Sequence, residues 1–137
     1  MFLKSRRKKF VEQHSVLPDE DFLREVGARP DLARFVTAAR RAVAEICHVP
    51  SEAIHPADAP AALAGLATLD WDDMAVIMDV ESELGVSLCE GIDAPRFLPG
   101  RFCWRSWPAP ATFGEWSIQF AEWAIKSLHA TAAAPGS

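Results

Sequence analysis

The residues of this 137-residue chain that could carry out chemistry include a tight group of aspartates in its middle. Asp70, Asp72 and Asp73 could in principle bind calcium or act as an acid–base pair. A calcium loop of the EF-hand type, however, needs a fifth-position ligand and then a glycine, where this chain has Met74 and Ala75. We therefore expect no metal site and no catalytic role here, and we expect Asp70 and Asp73 to cap the N-terminus of a helix.

The histidines and cysteines form no recognisable cluster along the sequence. The histidines are His14, His48, His55 and His129, and the cysteines are Cys47, Cys89 and Cys103. No CxxC spacing is present, and the adjacent Cys47 and His48 would diverge if they lay on a helix. An odd number of cysteines favours a reducing, cytoplasmic compartment over a disulfide framework. These patterns predict that the chain is not an enzyme and holds neither a metal nor a cofactor.

The charges fall into three zones. Residues 1–41 carry ten Lys or Arg and six acidic residues, and five of those bases lie within the first nine positions. Residues 42–95 carry eleven acidic residues and neither Lys nor Arg. The acidic zone would attract a basic protein surface and repel nucleic acid. The basic start is interpreted as a mobile arm or the beginning of a helix, with no specific nucleic-acid contact.

The hydrophobic pattern predicts an all-α fold. A short helix from Asp19 is expected to end at Gly27, and a second, capped by Asp31, is expected to end before Pro50 with Arg34, Arg40 and Arg41 facing away from its apolar stripe. One helical turn is expected near 60–66, and a third helix from the aspartate group to Leu84. Thr112 and Glu115 form a capping box for a last helix. No stretch approaches the ~18–20 apolar residues of a membrane span.

The third helix carries two apolar faces, although a helix in a small domain usually buries one. Val76, Ile77, Val80 and Leu84 form the first face. Trp71, Met74 and Met78 form a second patch on the opposite side. Either other parts of the chain cover this patch, or it contacts a partner, a use for which methionine-rich surfaces are well suited.

In order and spacing, these elements resemble the acyl carrier protein family. The likeness runs from Asp31 to Leu128 and rests on three segments: Val49 to Asp58 in the loop, Val76 to Val86 in the acidic helix, and Thr112-Phe113-Gly114-Glu115 at the start of the last helix. It implies a four-helix bundle, here with an extra N-terminal helix and an irregular Pro- and Trp-rich connection. That connection, beginning Phe97-Leu98-Pro99-Gly100, resembles an uncharacterised bacterial branch of the family.

In carriers of this family, a serine at the start of the acidic helix is esterified to phosphopantetheine. Counting back from Gly85 without a gap places Asp70 at that position, and a slip of one residue would place Leu69 or Trp71 there. None of these residues has a hydroxyl group, so the resemblance implies a carrier-like fold without the prosthetic group. The same branch also lacks the serine, and a shared fold does not by itself carry a shared function.

The sequence therefore predicts a non-enzymatic interaction module that binds a basic protein through its acidic helix. The expected partner-binding residues are Asp70, Trp71, Asp72, Asp73, Met74, Met78, Asp79 and Glu81. Two alternatives stay open: a carrier or acyl-transfer component with an unusual attachment site, and a small acidic regulator of the immunity or antitoxin type. The expected organisation is a basic arm and short helix in 1–30, a bundle in 31–128 and a flexible tail in 129–137. Trp104 and Trp107 either pack over the bundle or bind a partner.

Overall fold

The computed structural model describes residues 2–67, 71–88, 94–98 and 110–133, and every regular element within these ranges is helical. The elements are α1 (Phe2–Gln13), α2 (Asp19–Val26), α3 (Ala33–Cys47), a 3₁₀ turn (Ser51–Ala53), α4 (Pro60–Ala64), α5 (Asp73–Leu84) and α6 (Phe113–Ala133). The all-α prediction is confirmed for this part of the chain. None of its helices is both long enough and apolar enough to cross a membrane.

Helix α3 lies at the centre of the fold and packs against both α5 and α6. Val36, Val43 and four of its alanines (Ala38, Ala39, Ala42 and Ala44) are buried, and their small side chains let the neighbouring helices pack closely against it. Beside it, the rings of Phe97, Phe113 and Trp116 contact one another edge-on or tilted, with centroids 5.0–6.1 Å apart. Phe97 belongs to none of the helices, so it anchors the segment 94–98 to the core.

The ends of α2 and α5 follow from their glycines. Gly27 (φ 66°) and Gly85 (φ 64°) adopt the left-handed conformation that ends each helix, a conformation that a residue without a β-carbon adopts at little cost. Both helix ends agree with the sequence prediction. At the end of α3, His48 adopts the same conformation (φ 56°) and its backbone N–H reaches the last carbonyls of the helix.

The start of α6 is fixed by side-chain caps and by a close backbone approach. Thr112 Oγ1 accepts a hydrogen bond from the Glu115 N–H (3.2 Å), while Glu115 Oε2 accepts from the Ala111 N–H (2.8 Å). The Thr112 half of the predicted capping box is therefore present, whereas the Glu115 carboxylate binds the N–H of Ala111 rather than that of Thr112. Gly114 donates to the Pro56 carbonyl (2.9 Å), and a β-carbon at Gly114 would stand only 3.0 Å from Pro56 Cβ. This contact seats α6 directly on the loop before α4.

Some sequence predictions need correction. The N-cap of α3 is Leu32, without a side-chain cap, because Asp31 lies against Arg29 instead (Nε–Oδ1 3.3 Å). Of the two interpretations given for the basic start of the chain, a mobile arm or the beginning of a helix, the structure shows the helix. Helix α6 continues to Ala133, into the segment predicted to be a flexible tail. Residues 134–137 of that tail, like Trp104 and Trp107, lie outside the described residues.

The largest correction concerns Arg40, which was expected to face solvent and is fully buried. Its guanidinium donates to the carbonyl oxygens of Leu17 (2.7 Å) and Ile54 (2.8 Å) and to the Asp19 carboxylate (3.0 Å). It also lies over the Phe22 ring, 4.4 Å from the ring centroid. Burial lowers the pKa of Arg40, while the hydrogen bond to Asp19 acts in the opposite direction. Arg40 thereby ties α3 to the segments on either side of it.

We expect Arg40→Ala to lower the free energy of unfolding by about 3 kcal/mol, because it opens a cavity and removes the donor from the buried Ile54 carbonyl and the partly buried Leu17 carbonyl. Urea denaturation followed by circular dichroism measures this loss. Arg24→Ala is the matched control, since Arg24 is exposed and pairs with Asp21 within one helix, and it should change stability by less than about 0.5 kcal/mol. Equal losses for the two variants would contradict the assigned role of Arg40.

Candidate functional site

The start of α5 is built by two aspartates with different roles. Asp72 is the N-cap, and its side chain accepts a hydrogen bond from the Met74 N–H (3.0 Å). Asp73 Oδ1 instead accepts from the indole N–H of Trp71 (2.9 Å) and from the Phe97 N–H (3.3 Å). The expectation that Asp73 caps the helix is therefore wrong, because this carboxylate joins α5 to the segment 94–98. Asp70 lies outside the described residues.

The two apolar faces predicted for α5 differ in their exposure to solvent. Val76, Ile77 and Val80 are buried against the core, as the sequence predicts. On the other side, Met74 is 46% and Met78 61% exposed, which makes them two of the four large hydrophobic side chains exposed in the described residues. Four residues apart on one helix, they form a continuous apolar strip. We name Met74 and Met78 the methionine strip.

Trp71 does not belong to the methionine strip in the way the sequence predicts. Its ring stacks on Phe97 at a centroid distance of 4.1 Å and an angle of 18°, and its indole nitrogen is held by Asp73. The side chain is half-buried. The second apolar patch is thus divided: Trp71 is covered from within the chain, and the two methionines are not.

The acidic residues of α5 also divide into groups. Glu81 Oε2 accepts from the Leu88 N–H (2.8 Å), so this carboxylate holds the chain after the helix end. Asp79 is half-buried, and burial, together with the negative charge of Glu45 on α3, raises its pKa. Asp72 is exposed at the helix start. Of the predicted partner-binding carboxylates that the structure describes, Asp72 is the most open to solvent.

The last Lys or Arg before the acidic zone already forms ion pairs within the chain. Arg41, the last base before residue 96, donates to both Glu83 and Asp19. The hydrogen bond to Glu83 raises the pKa of Arg41. The cation therefore neutralises the outer side of α5 at Glu83 and fixes α5 against α3. The negative charge of Asp72 and Asp79 has no comparable basic partner among the recorded ion pairs of the described chain.

The structure brings together two histidines that the sequence places far apart. His14 and His55 lie with their rings edge-on, 5.1 Å between centroids, and His14 Nε2 lies 2.7 Å from Asp58 Oδ1. The statement that the histidines form no cluster is thus wrong for this pair. No spacing signal could reveal the contact, because 44 residues separate His14 from Asp58 and the fold alone joins them.

The Cys47 thiol is not suited to act as a nucleophile. The side chain is buried, its thiol donates to the Leu63 carbonyl (3.1 Å), and burial raises its pKa to about 12. A thiol held in the protonated form is unreactive at neutral pH. Cys89 and Cys103 lie outside the described residues. Within the described ranges, no three His, Cys, Asp or Glu side chains are grouped so as to hold a metal ion.

Comparison with known protein families, curated proteins and solved structures found no match for this chain. Three features in and around α5 bear on function: the exposed methionine strip, the open carboxylate of Asp72, and the absence of Lys and Arg from residues 42–95.

We expect Asp73→Ala to lower the free energy of unfolding by about 1–2 kcal/mol, because two N–H donors lose their acceptor. Asp73→Asn keeps an acceptor oxygen and should retain most of that stability. Urea denaturation of both variants, with Trp fluorescence to follow the environment of Trp71, makes the comparison. If Asp73→Ala is as stable as the unmodified chain, the joining role of this carboxylate is refuted.

Proposed function

We propose that this chain is a non-enzymatic, acyl-carrier-like interaction module that carries no phosphopantetheine and binds a basic protein through α5. The single observation that carries the proposal is the methionine strip on α5, a helix that lies within a stretch, residues 42–95, without Lys or Arg. The four-helix carrier arrangement is part of the same proposal. The all-helical fold supports it, as does the order of long helix, proline-bearing loop, acidic helix and last helix.

The apolar part of the proposed contact is supplied by Met74 and Met78. Methionine has three rotatable bonds and a polarisable sulfur, so it adapts its shape to different partner surfaces. Burial of two methionine side chains against a partner contributes roughly 1.5–3 kcal/mol each at full burial. That is enough to matter for affinity but not enough to give a stable complex on its own. A second contribution is needed, and charge provides it.

The polar part comes from the negative field around α5. Asp72 is exposed at one end of the methionine strip, and Asp79 lies next to Met78 in the chain. A basic partner would gain from this field mainly in association rate and in orientation. Since exposed charges are screened within about 8–10 Å at physiological salt, the interaction should weaken as ionic strength rises. The proposed partner is therefore a basic protein surface with an apolar centre.

The proposed lack of a prosthetic group follows from the resemblance. Counted back from Gly85 without a gap, Asp70 falls at the place of the modified serine, and an aspartate has no hydroxyl group with which to form the phosphodiester. The alternative, a carrier with an unusual attachment site, would have to use another serine. Ser82 is the exposed serine within α5, near the end of the helix rather than at its start.

We expect Met78→Lys to weaken partner binding by about tenfold or more, because it places a cation at the centre of the proposed contact. Val16→Lys is the matched control, since Val16 is 77% exposed and lies in the segment between α1 and α2. Affinity capture with each chain, identification of the retained proteins by mass spectrometry and titration of the purified partner give the measurement. Circular dichroism confirms that the variants fold.

The expected pattern is one basic protein retained by the unmodified chain and by Val16→Lys, lost with Met78→Lys, and released by added salt. Equal retention of every protein by all three chains would remove α5 as the docking surface. A retained protein with an acidic surface would contradict the charge argument, even if Met78→Lys failed to bind it.

Phosphopantetheine transfer tests the alternative directly. We expect no gain in intact mass when the full chain is incubated with coenzyme A and a broad-specificity phosphopantetheinyl transferase, because no serine occupies the attachment position. A known carrier protein in the same reaction is the positive control. A mass gain that disappears in Ser82→Ala would establish the alternative carrier function and overturn the proposal.

A further inference from the structure

Helix α1 presents a cationic surface to solvent. Lys4, Arg6, Lys8 and Lys9 are all exposed. Among the ion pairs recorded for the described residues, none includes any of these four side chains. Glu12 is the one acidic residue in the sequence of the helix. The positive charge of α1 is therefore available to an acidic surface outside it.

Helical spacing places an apolar side chain beside two of these bases. Lys4, Lys8 and Val11 are separated by four and three residues, so they lie on one side of α1. Val11 is 37% exposed, and Val16, which follows the helix, is 77% exposed. These valines and the methionine strip are the exposed large hydrophobic side chains of the described residues. This side of α1 is both basic and apolar, the combination that α5 requires of its partner.

Helix α5 surrounds its own apolar strip with the opposite charge. Asp72 is exposed at one end of the methionine strip, and Glu81 lies one turn beyond Met78. Burial raises the pKa of Asp79, and so does the negative charge of Glu45 on α3. A cation brought to this surface would relieve that repulsion between carboxylates. Since residues 42–95 contain no Lys or Arg, the cation has to come from outside this stretch.

The two surfaces do not neutralise each other within one chain. No ion pair recorded in the described ranges joins α1 to α5. The net charge of −5 makes two copies repel on average, but the charge is unevenly divided between the basic residues 1–41 and the acidic residues 42–95. Two copies attract each other when α1 of one faces α5 of the other. Charge therefore favours one arrangement between copies over the rest.

We propose that the basic partner of α5 is a second copy of this chain, which places the Lys4, Lys8 and Val11 side of its α1 against the methionine strip. The inference rests on the proposed function, because it names the partner of the same surface. The lysines supply the positive charge that α5 lacks, and Val11 supplies an apolar contact for the methionines. Because the two surfaces differ, each copy carries both halves of the contact.

The association should be weak and sensitive to salt. Few large apolar side chains are exposed on either surface, and interfaces of small area are typical of transient contacts. We expect a dissociation constant of about 10–500 µM. Exposed charges are screened within about 8–10 Å at physiological salt, so added salt should weaken the contact.

Sedimentation equilibrium of the purified full chain, with no other protein present, tests the inference. At concentrations up to about 500 µM and about 50 mM salt, we expect the weight-average mass to rise above that of one chain, and to fall back toward it at about 500 mM salt. A chain that stays monomeric throughout would overturn the inference. Association that strengthens with salt would overturn it as well, because charge would then not drive the contact.

Charge reversal on each helix makes the assignment specific. Lys4→Glu combined with Lys8→Glu should raise the dissociation constant about tenfold or more, and Met78→Lys should do the same. Arg24→Glu combined with Arg29→Glu is the matched control, because it lowers the net charge equally at exposed positions outside α1. Circular dichroism checks that each chain folds. Equal loss of association in the control would refute the role of α1, since overall charge would then explain the effect.

Mixing the two impaired chains provides an independent test. The Met78→Lys chain keeps an intact α1, and the chain with Lys4→Glu and Lys8→Glu keeps an intact α5, so the mixture should associate although neither chain does so alone. A mixture that stays monomeric would refute contact between two different surfaces.

The outcomes also separate this inference from the proposed function. If the purified chain is monomeric but retains another basic protein through α5, a second copy is not the partner and the proposed function stands. If the chain associates with itself and Met78→Lys leaves that association unchanged, α5 is not the docking surface and both fail.

Discussion

A buried guanidinium constrains the way this chain folds. Arg40 cannot leave water unless each of its donors finds an acceptor, because an unpaired buried charge costs several kcal/mol. The acceptors come from Leu17 and Asp19 before α3 and from Ile54 after it. These three contacts set the path of the chain on both sides of the central helix. They also help to place His55, which follows Ile54 directly, and Asp58, four residues after Ile54, so the contact between Asp58 and His14 depends on the same constraint.

Local signals in the sequence were enough to place most helix ends. Gly27 and Gly85 act within one turn of their helices, and Thr112 and Glu115 act across three residues, so their effect does not depend on distant contacts. The burial of Arg40 could not be predicted in this way. Charge and helical spacing both indicate an exposed side chain, and only the arrival of carbonyl groups from two other segments makes burial favourable.

The candidate site was predictable to a similar degree. Helical spacing separated Met74 and Met78 from the buried face of α5, and the structure keeps both exposed. The same spacing also assigned Trp71 to the outer patch, because it could not anticipate that Phe97 would stack on the indole. Sequence reasoning missed the pairing of His14 with Asp58 altogether, since only tertiary structure brings these residues together. Helical spacing therefore predicted which face of α5 is buried, whereas contacts between residues far apart in the sequence could not be predicted from it.

The close contact between Gly114 and Pro56 restricts where residues could be inserted into the chain or deleted from it. Both Gly114 and Phe113 donate to carbonyls of the stretch Pro56–Asp58, and the space between the two backbones does not admit even a methyl group without displacement. An inserted residue in this stretch would shift the first turn of α6 and, through Asp58, the end of α1. An inserted or deleted residue should therefore be tolerated less well here than in exposed segments whose backbone makes no such contact.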